Sequence, residues 1–213
     1  MGRPVQHHPK PNCAGGNGVV MPQTSDYFDG PHLGLQWQWH ADHKDAWYSL
    51  SERPGHLRLY PQPVETGDFS KAGNLLLQKF PAREFSAETE LELPLGYNQL
   101  HAGLIVMGEE YCAMDVQRDP QGYHLRLVTK TESLAEFVCD SKVVHLRVAV
   151  GEGGVCRFGV VRADGSFYIL GPAFHARPGR WIGAKVGIYC TSLAVTRSAG
   201  HADFAHFTLG NHL

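Results

Sequence analysis

Three of the chain's four tryptophans fall between Leu33 and Tyr60, in the run LGLQWQWHADHKDAWYSLSERPGHLRLY. Within it, Gln36-Trp37-Gln38-Trp39-His40 alternates indole rings with amides and an imidazole. That mixture suits a neutral sugar: a flat ring covers the apolar C–H face of a pyranose, and amide, carboxylate, guanidinium or imidazole groups satisfy its hydroxyls. On a strand, Trp37 and Trp39 share one face while Gln36, Gln38 and His40 share the other. In a packed β protein only one of those faces is wet. Either the rings form an exposed platform, or they are core and the glutamines are the solvated face. For a platform, Trp39 and Trp47 are the candidate rings, with Gln38 and Arg58 as hydroxyl partners. Trp47 and Tyr48 lie across a polar loop, His40–Asp45, that can fold over a groove rim. Trp181, in the polar context Arg177-Pro178-Gly179-Arg180, is either a cap on the core at a loop exit or a further platform.

Asp115 is the remaining candidate for sugar contact. It stands alone in the apolar context Cys112-Ala113-Met114-Asp115-Val116, and from there can face a concave surface. Glycoside hydrolysis needs two carboxylates across a pocket, one of them kept protonated. Several acids are available, including Glu52, Glu65, Glu109, Glu132 and Glu136, but no context singles out a pair. Neither a nucleophile elbow nor a phosphate loop is present. Asp26, Asp29 and Asp203 raise the question of calcium, which takes six to eight oxygens from carboxylates and carbonyls. Terminal strands often pair in sandwiches, which would bring the Asp26 region beside Ala202-Asp203-Phe204. The competing reading is that of turn aspartates capping backbone N–H groups. His7 and His8 are adjacent but have no third ligand at metal spacing.

The elements that would position these residues are short strands. Phe85, Ala87, Thr89, Leu91 and Leu93 recur with period two against Ser86, Glu88, Glu90 and Glu92, the pattern of a strand with one wet face. Val144, Leu146, Val148 and Val150 repeat it, and so does Tyr123–Lys130. Gly103–Met107 is almost wholly apolar and reads as a central strand. Further strands are expected at Gly55–Tyr60, Asn74–Phe80, Tyr111–Gln117, Val155–Arg162, Ser166–Leu170, Gly183–Cys190 and Ala202–Leu209. Asp119-Pro120-Gln121-Gly122 and Asp164-Gly165 close hairpins. Gly171–Trp181 reads as a loop with a helical turn. About a dozen strands without a convincing helix predict an all-β fold, a two-sheet antiparallel β-sandwich of jelly-roll type. Residues 1–24, polar and rich in Pro and Gly, read as an extended lead-in to one domain over 25–213.

Composition narrows the function more than it selects one. Lys and Arg number 19 against 21 Asp and Glu in 213 residues, without clustered positive charge, which argues against a nucleic-acid binder. A chain this long buries roughly 70% of its unfolded surface and needs no disulfide or metal to hold a core. The five cysteines, Cys13, Cys112, Cys139, Cys156 and Cys190, are widely spaced and read mostly as small buried hydrophobes. No apolar run reaches membrane-spanning length, and MGRPVQHHPK lacks the apolar core of a signal peptide.

The run PQTSDYFDGPHLGLQWQWHADHKDAWYSL…RPGHLRL resembles the start of the C-terminal concanavalin A-like domain of β-xylosidases and arabinofuranosidases of glycoside hydrolase family 43. NLLLQKFPAREFSAETEL, AGLIVMG, WIGAKVGIYC and GHADFAHFTL match the same domain in the same order, so the likeness covers roughly residues 20–209. The lead-in GRPV…KPN is similar to the crossing from that family's catalytic propeller, and Met1 would mark the start of an excised or shortened chain. The resemblance implies a β-sandwich that packs on a five-bladed propeller. The propeller holds the catalytic carboxylates, and the sandwich can lend an aromatic loop to the active-site rim. Any hydrolase activity would then belong to a parent enzyme, whose compartment (extracellular, periplasmic or cytoplasmic) this soluble domain would share. Related copies are xylan-binding modules. Many hold a structural Ca²⁺ through the aspartates of an Asp-x-Phe phrase and a closing Ala-Asp-Phe phrase, which here are Asp26 and Asp203. Alanine at position 205, where the family often has a second aspartate, weakens that site. The leading expectation is a non-catalytic module binding xylan or xylo-oligosaccharides. The alternatives are a structural domain packing on the propeller and a glycosidase in its own right.

Overall fold

Period-two burial runs along most of the chain, and it sets the architecture. In the computed structural model, residues 22–64, 67–94, 100–193 and 200–210 are described, with His7 and Pro9. Most of the expected lead-in over residues 1–24, with His8 and Cys13, and also Glu65, lie outside the described residues. Sixteen strands are present in these segments. In chain order they are β1 (Gln38–Trp39), β2 (Tyr48–Ser49), β3 (Leu57–Leu59), β4 (Gln62–Pro63), β5 (Leu76–Lys79), β6 (Phe85–Glu92), β7 (Leu100–Met107), β8 (Tyr111–Asp119), β9 (Gly122–Thr129), β10 (Ser133–Cys139), β11 (Val143–Gly151), β12 (Val155–Val161), β13 (Phe167–Ile169), β14 (Phe174–His175), β15 (Lys185–Ser192) and β16 (Ala202–Gly210).

Two eight-stranded sheets face each other. Sheet 1 runs β1-β5-β15-β7-β8-β9-β10, with β4 added beside β15; sheet 2 runs β13-β12-β11-β6-β16-β3-β2, with β14 beside β12. Pairing is antiparallel except for β4 on β15. The sandwich core between the sheets contains Leu104, Val106, Met114, Leu125 and Ile188 from sheet 1, and Leu91, Leu146, Val148, Phe158 and Phe204 from sheet 2. β6 and β11 alternate buried and half-buried residues, as their sequences require when one face is wet.

β7 and β15 are buried on both faces along their whole length. The second covering layer comes from the connection between β4 and β5. Val64, Phe69 and Ala72 lie on the outer face of sheet 1 against Leu75, Ile105, Met107 and Tyr189. A single 3-10 turn, Phe69–Lys71, shapes this cover, and Asp68 accepts the Ser70 N–H at its start. The cover reaches β8, where Phe69 packs on Tyr111 at 5.6 Å, and leaves most of the face of β9 and β10 open.

The sequence misplaces two elements. β10 is an edge strand with irregular burial and carries no clean alternation. The 171–181 stretch has no helical turn: it contributes β14 and a loop closed by a bridge between Gly179 and Gly183. Among the described residues, no helix is long and apolar enough to cross a membrane.

Candidate functional site

Register across sheet 1 assembles a polar belt on its outer face, covered at the Tyr189 end and open at the Arg126 end. Tyr189 on β15 pairs with Gly103 on β7, Gly103 with Asp115 on β8, Asp115 with Arg126 on β9, and Arg126 with Glu136 on β10. Directly paired residues share a face, so these five positions form one row. Gly103 supplies no side chain, and the Tyr189 hydroxyl reaches across it to donate to Asp115 Oδ1 at 2.9 Å. The other carboxylate oxygen lies 2.7 Å from His101 Nδ1. Asp115 is 1% exposed and His101 6%. Burial works to push the His101 imidazole down, but the Asp115 carboxylate, by charge and hydrogen bond, outweighs it and holds the group above its ordinary value. Burial and the Asp115 charge together push the Tyr189 phenol well up, so it remains a donor. The other imidazole nitrogen of His101, Nε2, has no partner among the described residues.

Above this row lies a cavity of about 300 Å³, lined by Phe69, His101, Arg126, Thr129, Thr131 and Ser133 among others. A second cavity of about 340 Å³ shares Tyr111 and residues 129–132 with the first, and continues to Phe174, His175 and Arg177. The two adjoin at the turn over residues 129–132, the first on the outer face of sheet 1 and the second between that turn and β14 of sheet 2. Between them they offer a groove with aromatic and hydroxyl groups in its walls. Its shape and lining suit a polyhydroxylated chain.

The groove gathers only one of the six residues singled out for sugar contact, Asp115. That carboxylate is sealed below the floor with both oxygens engaged, so its effect on a ligand passes through His101. Trp47 is buried, and Trp39 is half-buried: its ring lies edge-on to Trp47 at 5.7 Å and stacks on His43 at 6.0 Å. Both rings lie at an edge of the sandwich, where β1 ends sheet 1 and β2 ends sheet 2. Trp37 is core too and donates its indole N–H to Asp26 at 2.8 Å. Gln38 is exposed beside a separate cavity of about 270 Å³ with Gln36, Gln78 and Phe80. Arg58 sits on the outer face of sheet 2, away from the groove, and is committed to Asp203 and Glu52. Trp181 is 91% exposed and caps nothing.

Asp26 and Asp203 do not fit a shared calcium ion. The Asp26 backbone bridges to Phe207, four residues along β16 from Asp203, so the two are on the order of 10 Å apart. Asp26 accepts from the Phe28 N–H and from the Trp37 indole, and so acts as the turn cap considered above. The Phe28 it holds is buried at φ 54, a left-handed conformation uncommon for a bulky residue. Asp203 is held by both Arg58 Nε and Nη2, at 2.7 and 2.9 Å, and by Arg53 at 2.9 Å. Two guanidinium charges occupy the place a cation would take. Among the described residues, no group of three or more His, Cys, Asp and Glu side chains could hold a metal.

His101, Tyr189 and Arg126 were missed by sequence reasoning. A signal existed for two of them: His101 is the one polar side chain in the apolar run Leu100–Met107, and Tyr189 stands among the apolar residues 186–190. Their meeting with Asp115 depends on register, which the sequence does not display.

Comparison with known proteins bears on the whole chain. A family model described as the beta-xylosidase C-terminal concanavalin A-like domain matches residues 25–209. A beta-xylosidase from Formosa agariphila is 27% identical over 232 residues, spanning 98% of this chain and 38% of that protein. A xylan beta-1,4-xylosidase from Bacillus halodurans shares the fold with a TM-score of 0.77 at 22% identity, covering 94% of this chain and 41% of its own. A GH43 protein from Bacillus licheniformis does so at 0.75 and 20%, covering 88% and 39%. The chain thus spans less than half the length of each of these relatives.

Proposed function

The chain belongs to the C-terminal concanavalin A-like domain family of β-xylosidases, and from that premise we propose that it is a non-catalytic domain binding a xylan-type glycan in the groove over β8, β9 and β10. The observation that carries this reading is the open stretch of sheet 1, where the β4–β5 cover ends and a groove with ring-lined walls, hydroxyl groups and the His101 imidazole remains. A neutral pyranose chain needs ring faces and fixed hydrogen-bonding groups, and the groove supplies both. The overall balance of 19 basic against 21 acidic residues favours no strongly charged polymer. Hydrolysis is not part of the proposal: Asp115, with each oxygen already accepting a hydrogen bond, is poorly placed as nucleophile or acid.

Calorimetric titration with xylohexaose, cellohexaose and arabinan oligosaccharides tests the reading. Xylohexaose is expected to bind, and substituting Thr131 and Phe174 by alanine is expected to weaken it. Absence of detectable binding up to millimolar sugar would remove the proposal. A product assay on xylan and aryl xylosides, expected to be negative, addresses catalysis.

A second reading, compatible with the first, rests on Trp181. It is 91% exposed on the loop closed by the Gly179–Gly183 bridge, with φ 73 and Arg180 over its ring at 5.8 Å. Neighbouring Ile182 is 45% exposed. A strained, outward-held indole beside an exposed isoleucine suits docking on another domain, and a catalytic propeller of the parent enzyme is the partner we propose. The test is co-purification of this chain with a separately expressed family 43 propeller, expected for wild type and lost in Trp181→Ala.

A further inference from the structure

Arg126 stands out on the groove floor because its neighbours have other partners. It is flanked in register by an acid on each side, Asp115 on β8 and Glu136 on β10. Asp115 is turned to His101 and Tyr189, and Glu136 lies 3.4 Å from His124 Nδ1. Arg126 itself makes no hydrogen bond or ion pair with any described residue, and its Nε is out of solvent without an acceptor. The arginines facing outward from sheet 2 behave differently: Arg53, Arg58 and Arg147 each hold a carboxylate within 2.9 Å. Lys130, the other cation at the cavity, is paired with Asp68 at 3.2 Å.

A half-buried guanidinium cannot shed its charge, and it is most favourable with a planar anion on its fork. With both Asp115 oxygens engaged by His101 and Tyr189, the floor is left with one guanidinium that no described side chain pairs. It faces a cavity of about 300 Å³ that also carries the hydroxyls of Thr129, Thr131 and Ser133, with exposed Glu132 at its rim. That volume lies at the small end of ligand sites and suits one ring unit. The adjoining cavity of about 340 Å³ leaves room for the chain to continue. We infer that Arg126 receives the carboxylate of a uronic acid residue carried on the glycan, so that the groove prefers acid-substituted chains to neutral ones. This rests on the groove being a glycan site, as proposed above.

The test compares xylohexaose with a xylo-oligosaccharide of the same backbone length bearing one glucuronic acid, by titration of the whole chain at low and high salt. The acidic sugar is expected to bind about tenfold tighter or more at low salt, the scale of one charge-assisted hydrogen-bonded pair. The preference should shrink as salt is raised, fall toward unity in Arg126→Gln and persist in part in Arg126→Lys. Equal binding of the two sugars by wild type overturns the inference while leaving the groove reading intact. A preference that survives in Arg126→Gln also overturns it, since the anion then sits elsewhere. Failure of both sugars to bind removes the groove reading and the inference together. Because the salt response of wild type is itself a readout, the inference remains testable even if a variant fails to fold.

Discussion

At the scale of single residues, Asp26 caps a turn and Asp203 anchors two arginines. Asp26 holds the left-handed Phe28 and the Trp37 indole, and Asp203 ties Arg53 and Arg58 to β16. Burial pushes the Asp203 carboxyl up, but hydrogen bonds from Arg58 and Arg53 outweigh it and hold it below the ordinary value of 3.8. A depressed folded-state value means that the stabilisation is fully present above 3.8 and is lost as the pH falls through the folded-state value. Asp203→Asn is therefore expected to lose about 3 kcal/mol near pH 7, because two arginines remain around an uncharged amide. The gap to wild type should narrow in acid. Urea melts at pH 7 and pH 3 measure both, and a gap that is constant with pH would contradict the assignment. The presence of these aspartates was readable from the sequence. Their partners were not, because Arg53 and Arg58 lie about 150 residues away from Asp203 in the chain.

At the scale of elements, most strands were legible because burial on one face imposes period two, and β6, β9 and β11 carry that pattern openly. β10 was not, since an edge strand with exposed Val138 and Glu136 has little to alternate. The tryptophan-rich stretch misled for a different reason: aromatic residues suit a platform and a core equally well, and only the sandwich edge at which Trp39 and Trp47 pack decides. Within β7, Gly103 is where element and site meet. A Cβ there would fall 1.9 Å from the Met114 carbonyl oxygen, which is backbone and cannot swing away. Gly103→Ala is expected to cost about 1–3 kcal/mol by strain and to weaken sugar binding by moving Asp115 away from Tyr189. A variant with wild-type denaturant midpoint would contradict this packing. The Trp181 loop should show the opposite trade. Trp181→Gly relieves a positive φ that costs on the order of 1–3 kcal/mol, so its melting temperature is expected to hold or rise while propeller co-purification is lost.

At the scale of the whole molecule, two sheets enclose one core, and a partial third layer over sheet 1 decides where the groove can be. The family and the sandwich were both legible in the sequence, since phrases such as WIGAKVGIYC and GHADFAHFTL mark β15 and β16. The location of the groove was not, because it depends on where a loop stops covering a sheet. Stability here rests on the core and the Asp203–arginine ties, so excess chelator is expected to leave the melting temperature unchanged; a drop of several degrees would reveal a bound cation. The most direct test of the account is a backbone-amide NMR titration with xylohexaose. The shifts are predicted to cluster on β8, β9, β10 and residues 172–177. Perturbations centred instead on Gln38 or Trp181, or none at saturating sugar, would contradict the placement of the glycan on the open face of sheet 1.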